Sequence, residues 1–460
     1  MSRIMKCFYK NFLFFHNFRE LSMRLQKSIL AAAITLATFN SYSASFQLNE
    51  TSASGLGRAF AGDAVIADDA AVLARNPAAM ALFDKAAFSL AATYVDPGVN
   101  IKGIDAPDLL GADYDVSELK QDGVVPTAIV PAMYFINPVN DTFAYGVAFN
   151  SNFGLKSEYD NDYAAGSIGG KTDLKTINAN ISGSYRINEQ LSLGLGLNVV
   201  YGEAELIRHA GRVLENGVTI PGVGTVVAPV PGRTEIVNMA GDDFGYGWNI
   251  GVVYEINKNH RFALTYRSEV ELAFDGEFSG LGVQEQAASL SVDMPAIAEF
   301  SGFHQLTEQW ATHYSIMYTQ WSSFEKLEAF TGDTLAFEKQ ENFEDTYRFA
   351  LGATYDVNQD LVLRLGIAFD QSAAVDYRSI SIPDSDRLWY SAGATYQLDN
   401  NDSIDFGVSY INGDNVIVTE EDALLAQLPS SLDGVVGNKD WNFSSEGNAL
   451  IIAIQYNKTF

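Results

Sequence analysis

The 460-residue sequence has a single cysteine, Cys7, and 12 prolines, and 19% of its residues are charged, against roughly a quarter in ordinary soluble chains. One cysteine excludes an intramolecular disulfide, and its place at the extreme N-terminus leaves the rest of the chain without a thiol ligand for a metal. Positive charge is scarce: 29 Lys and Arg face 57 Asp and Glu, a net charge of −28. That balance repels a phosphate backbone, so nucleic acid is not an expected partner. Beyond residue 44 no apolar run approaches the ~18 residues of a membrane-spanning helix. His209, His260, His304 and His313 are scattered, and HExxH, GxSxG and phosphate-binding glycine loops are all missing. An enzyme is therefore not expected, nor is a metal or other cofactor.

What is abundant points elsewhere. The chain holds 22 Tyr, 29 Phe and 38 Gly. Its start, "MRLQKSILAAAITLATFNSYSA" (Met23 to Ala44), pairs Arg24 and Lys27 with an apolar core from Ile29 to Phe39 and then small residues. This reads as a secretory signal over 23–43, cleaved after Ser43, with Ala44 as the neighbouring option. Residues 1–22 read as an upstream extension, as from a misassigned start at Met1. Removing residues 1–43 takes away six basic residues and one acid, leaving 23 basic and 56 acidic and a balance of −33. An exported, aromatic- and glycine-rich chain without a helical span has one way to cross a membrane, the closed β-barrel.

Alternation supports the barrel. In "LSLGLGLNVVY" Leu191, Leu193, Leu195, Leu197, Val199 and Tyr201 share one face and Ser192, Gly194, Gly196 and Asn198 the other. "NISGSYRI", "LVLRLGIAFD", "YRFALGATY" and "DSIDFGVSY" repeat the pattern. Short polar turns near residues 138, 189, 258, 307, 359 and 400 alternate with longer connections such as 103–124, 209–243 and 419–444. Six short turns and seven longer connections predict an all-β membrane protein, a 14-stranded antiparallel barrel over 86–460 with both termini on the short-turn, periplasmic side. The last stretch, "ALIIAIQYNKTF", alternates and ends on Phe460, resembling the signal read by the barrel-assembly machinery. By the same alternation Arg208, Arg267, Glu269, Glu271, Arg348, Arg364 and Asp370 face inward.

Two stretches break the rule. "ADDAAVLARNPAAMALFD" (67–84) reads as helix, with an acidic entry, cut by a proline that lacks a donor. It precedes the first strand and cannot join the wall, so residues 44–85 are expected to plug the lumen, which 14 strands leave too wide for wall side chains to fill. In "TFAYGVAFNSNFGL" Phe143, Tyr145, Val147 and Phe149 set a lipid-facing row that would place Ser151 among them. Asn150, Ser151, Asn152, Phe153 and Gly154 interrupt the strand, and a glycine there marks a bulge or bend.

The plug stretch, with "FQLNE", "GLGRA", "IADDA" and "NPA", resembles the N-terminal hatch of the FadL family of long-chain fatty acid transporters. "YVDPGVNI", "YAAGSIGGKTDL", "FALTYRSEV", "RFALGATY" and "RSISIPDSDR" resemble further family blocks. The resemblance implies an outer-membrane barrel for passive uptake of long-chain fatty acids and similar hydrophobic molecules. It implies that Phe46, Asn76, Pro77 and Ala78 belong to the hatch, and that the interrupted third strand kinks inward to leave a lateral exit. In "LIRHAG" it points to Arg208 as carboxylate ligand, with Lys339 in "FEKQENF", in or near a loop, as its partner. Asp370, which alternation rather than resemblance turns inward, is expected to act in the pocket through a neighbouring Arg or Lys, while most of the other inward charges are expected to form lumen salt bridges that fix the wall and the hatch. The family's first, weaker groove lies on the third and fourth long loops. The apolar "VLENGVTIPGVGTVVAPVPGRTEIV" fits the third, whereas the fourth, near 276–289, is short. Expected partners are the hydrophobic cargo, outer-membrane lipid and lipopolysaccharide, and the assembly machinery, for a monomer. An aromatic hydrocarbon transporter of the same fold and a general diffusion porin are the rival readings.

Overall fold

The structure, a computed structural model, describes residues 46–460 apart from 216, 221–223 and 400. The upstream extension, the signal peptide and residues 44–45 lie outside the described residues. Alternating apolar and polar residues leave each strand one face for lipid and one for the lumen, and closure removes the unpaired edges.

The wall strands are β1 (Ala87–Asp105), β2 (Ala128–Pro138), β3 (Phe143–Asn150 and Gly154–Glu158), β4 (Lys171–Arg186), β5 (Leu191–His209) and β6 (Glu235–Asn257). They continue as β7 (His260–Arg267 and Val270–Gly280), β8 (Val283–Met294 and Ile297–Gln305), β9 (Trp310–Thr319 and Lys326–Thr331) and β10 (Thr334–Gln340 and Thr346–Asp356). β11 (Leu361–Asp370), β12 (Arg387–Gln397), β13 (Asp402–Gly413 and Val416–Glu421) and β14 (Asp440–Thr459) complete the set. Each pairs antiparallel with its sequence neighbours, and β1 pairs with β14 from Ala87↔Thr459 onward. The barrel is closed and has fourteen strands.

The faces follow the alternation. Leu193, Leu195, Leu197 and Val199 are 40–60% exposed, while Ser192 and Asn198 on the opposite face are buried. Connections 281–282 and 332–333 are two-residue turns, with Gly282 and Gly332 at φ 74° and 58°. The expectation of seven long connections gives way there to hairpins whose strands run on past the wall. The remaining long connections pack together around Leu119, Tyr163, Leu214, Leu425 and Trp441. In that dome burial, with Glu118 beside it, pushes the Tyr114 phenol up to about 12.

Residues 46–86 run inside the barrel. Their helix α1 (Ala53–Leu56) is capped by Ser52, whose side chain accepts from the Gly55 N–H. The stretch expected to be helical forms two 3-10 turns, Ala70–Ala74 capped by Asp69 and Pro77–Leu82 capped by Asn76. Pro77 opens the second turn because a first-turn residue needs no N–H partner. Backbone N–H groups of this segment donate to wall side chains on opposite sides: Ala53 to Gln455 (3.0 Å), Gly62 to Ser315 (2.9 Å) and Ala70 to Ser89 (3.1 Å).

Candidate functional site

The lumen holds an apolar cavity of about 650 Å³, part of it open to solvent, lined by Leu174, Leu206, Met239, Phe274, Leu290 and Phe46 among others. Its apolar wall depends on a parity change that sequence alternation did not anticipate. β7 is interrupted at Ser268–Glu269, where Ser268 donates to the Trp248 carbonyl (2.9 Å). After the break Val270, Leu272 and Phe274 turn inward and are buried, whereas Glu269 and Glu271 are exposed. The inward placement expected for those two glutamates is therefore corrected.

Phe46 forms the inner end of the cavity. Its ring lies 4.6 Å from Trp321, 5.1 Å from Phe324 and 6.1 Å from Phe153, all edge-on. Trp321 and Phe324 come from the break in β9, and Phe343, which packs on both, from the break in β10. No alternation marks these three residues, because each lies in an interruption of a strand.

Arg208 is 2% exposed. It donates to the carbonyls of Lys171 and Ile207 (2.9 Å each) and to the hydroxyl of Thr172 (3.1 Å), a residue that lines the cavity. No carboxylate among the described residues comes within 4.0 Å of it. Lys339 lies on β10, not in a loop. Its ammonium donates to Ser379 (2.6 Å) and Ser381 (2.8 Å) and pairs with Glu341 at 3.0 Å and Glu420 at 3.5 Å. The same two carboxylates act on Arg208 from beyond ion-pair distance, so Arg208 and Lys339 stand around one group of acids. Sequence reasoning missed Glu341, Glu420, Ser379 and Ser381, although the alternating serines of "RSISIPDSDR" carry a usable signal.

Asp370 faces inward, as alternation places it, and is 3% exposed. It pairs with Arg348 at 3.9 Å, and Arg348 donates to the Ala59 carbonyl at 3.0 Å. Through Arg348 it ties the wall to the N-terminal segment. Arg364 does likewise through Asp68 (3.0 Å), which also takes Arg58 at 2.6 Å.

Asn76, Pro77 and Ala78 press against wall glycines. A Cβ built on Gly251 would stand 1.9 Å from the Asn76 Oδ1, and one on Gly194 would stand 2.2 Å from the Ala78 nitrogen. Asn76 in turn donates to the Ala64 carbonyl at 2.8 Å. Gly251→Val is expected to cost about 1–3 kcal/mol, the usual range for overpacking. Chemical denaturation would read that loss, and limited proteolysis at Arg75 would report an unseated turn. An unchanged midpoint and an unchanged digest would show that the contact is not seated as described.

The third strand is interrupted where expected, with one correction. Ser151 is 2% exposed and donates to the Thr176 carbonyl at 2.5 Å, so it does not extend the lipid-facing row. β2 and β3 pair only from Met133↔Phe149 to Pro138↔Ala144, leaving Ala128–Ala132 paired with β1 alone. The edge that β3 turns away from β2 is taken by the N-terminus. Leu48 donates to the Asn152 carbonyl (2.7 Å), Gly154 donates to Phe46 (2.8 Å), and Gln47 faces Phe153.

Comparison with known proteins agrees with this architecture. The family model described as outer membrane protein transport protein (OMPP1/FadL/TodX) matches residues 34–460. The long-chain fatty acid transport protein of Salmonella typhi is 42% identical over 457 residues, 94% of this chain and 98% of that protein. Outer membrane protein P1 of Haemophilus influenzae is 41% identical over 463 residues, 95% of this chain and 100% of that protein. Among solved structures, a Pseudomonas aeruginosa FadL homologue superposes with a TM-score of 0.79 at 22% identity, covering 91% of this chain and 100% of that one. The Ralstonia pickettii toluene transporter TbuX superposes with a TM-score of 0.61 at 16% identity, covering 89% and 98%. With a family model spanning the whole wall and relatives above 40% identity along it, this outer-membrane β-barrel belongs to the OMPP1/FadL/TodX family of outer membrane transport proteins.

Proposed function

We propose that this chain carries long-chain fatty acids and related hydrophobic molecules passively across the outer membrane, with no catalytic step and no cofactor. The observation that carries the reading is an apolar cavity with a buried guanidinium at its edge and no carboxylate in ion-pair contact with it among the described residues. An apolar tail suits the cavity. A carboxylate suits the Arg208 fork, where a charge-assisted hydrogen bond replaces lost hydration. A neutral aromatic hydrocarbon leaves that cation unused, and a diffusion porin does not need the packed segment in its lumen.

In this reading the long loops capture the cargo, the cavity binds it, and residues 44–85 act as the hatch. The chain ends lie on the periplasmic side, and Phe460 is what the assembly machinery reads. The barrel works as a monomer among lipopolysaccharide. Phe46 is the moving part. Its three edge contacts contribute about 0.5–1.5 kcal/mol each, and burying its ring adds about 1.5–3 kcal/mol. A ligand displaces it only by binding the displaced state more tightly than the seated one by at least that amount. Departure of Phe46 also releases the bonds to Asn152 and Gly154, coupling cargo binding to the gap between β2 and β3.

Arg208→Ala is expected to weaken fatty acid binding by about 1.5–3 kcal/mol, the range for hydrogen bonds to charged groups. Binding of the methyl ester should change little. Titration of both ligands into the purified barrel makes the comparison, and equal losses would mean that Arg208 shapes the wall and does not read the carboxylate.

A further inference from the structure

A second cavity, of about 410 Å³ and partly open to solvent, lies across the N-terminal strand from the first. Phe46 lines the apolar cavity, whereas the next two residues, Gln47 and Leu48, line this one. Residues 46–48 therefore form a partition between the two. Asn152, inside the β3 break and bonded to Leu48, also lines the second cavity. That cavity therefore borders both the partition and the β3 break.

Its chemistry differs from that of the first. Two arginines, Arg75 and Arg267, line it against one acid, Glu299. Glu299 is 3% exposed and accepts hydrogen bonds from the hydroxyls of Ser301 (2.7 Å) and Ser315 (2.8 Å), which occupy one of its oxygens. Arg75 reaches Asp63 only at 3.8 Å and spends its Nη2 on Asn49. Arg267 donates to two neutral acceptors, the Asn198 side chain (3.0 Å) and the Ala74 carbonyl (2.8 Å). No carboxylate among the described residues lies within 4.0 Å of it. A guanidinium carries five N–H donors, so two acceptors leave it the capacity for a further anion. A cation held by neutral acceptors beside a partly polar space is placed to receive a charge that comes and goes.

We infer that Arg267, with Arg75 beside it, forms a second carboxylate-binding station between the apolar cavity and the β3 break. The inference rests on the fatty acid reading above and adds a step to it. A carboxylate that leaves Arg208 for the wall would otherwise cross a desolvated interior without a counter-charge, which is costly. The Arg267 station supplies that counter-charge once the strand of residues 46–48 moves aside. Cargo without a carboxylate has no use for it.

The test compares oleate with methyl oleate in cells that lack their own fatty acid channel and express the full chain. Binding is measured separately on the purified barrel in lipid nanodiscs. Arg267→Met should reduce oleate uptake by at least about tenfold, the effect of losing one charge-assisted contact, and leave methyl oleate uptake and oleate affinity near wild type. Arg267→Lys, which keeps the charge and loses the fork, should recover most of the oleate uptake. Equal loss of both cargoes, or loss of neither, would show that Arg267 only braces Ala74 and Asn198 and would overturn the station. If the wild-type barrel shows no preference for oleate and Arg208→Ala affects both ligands alike, the fatty acid reading falls, and the station with it. If Arg208→Ala selectively weakens oleate binding while Arg267→Met is silent, only the station falls.

Discussion

Removing residues 46–80 is expected to leave a barrel that assembles, inserts and conducts ions. The wall closes through β1–β14 pairing along more than a dozen register positions, none of which involves the deleted segment. What the deletion removes is the lumen filling: Leu56, Phe60, Leu73 and Met80 are each about 0–1% exposed. Arg364 and Arg348 lose Asp68 and Ala59 as partners and would be hydrated by water entering the lumen, since a fourteen-stranded wall cannot fill its interior with its own side chains. Planar-bilayer recordings should show a stable conductance absent from the intact protein, and uptake should lose its preference for hydrophobic cargo. An assembled, truncated barrel that stays sealed would move the barrier from the hatch to the packed loops around Trp441 and Leu425.

Strand number and facing were legible because lipid on one side and a polar lumen on the other impose a strict period of two. Leu195 and Asn198 obey it, and so does Arg208, buried at the far end of the same strand. The period fails wherever a strand is interrupted. One irregularity inverts every residue beyond it, which is why Glu269 and Glu271 were read as inward and lie outside. Ser151 fails for the same reason. The interruptions of β3, β9 and β10 supply Phe153, Trp321, Phe324 and Phe343, so much of the aromatic cage around Phe46 was invisible to alternation. Resemblance carried Lys339, whose setting became clear only when strand pairing brought Glu341, Ser379 and Glu420 around it. Asp370 was turned inward by alternation, and only strand pairing named Arg348 as its partner.

Restoring the third strand is expected to stop uptake without stopping binding. Between Asn150↔Asn178 and Gly154↔Lys175, the three residues Ser151, Asn152 and Phe153 oppose only Thr176 and Ile177. One residue is in excess, and it bends β3 away from β2. Deleting Ser151 leaves two residues against two, and alternation from Phe149 then runs unbroken into Leu155, which already faces the lumen core. Asn152 would become lipid-facing in the repaired strand, so it is changed to Leu in the same variant. The repaired edge can pair with Ala128–Ala132, which now bond only to β1, and residues 46–48 lose their place on it. Regular pairing favours assembly, so surface display and heat stability should be kept. The cavity walls contributed by β5, β6, β7 and β8 are untouched, so oleate should still bind. With the gap closed, the cargo has no sideways route, and its apolar tail cannot follow the polar floor formed by Asn178, Asn180, Asn198 and Asn249. Uptake should fall to the level of cells without the protein, whereas uptake at the original rate by a correctly assembled variant would place the exit somewhere other than the third strand.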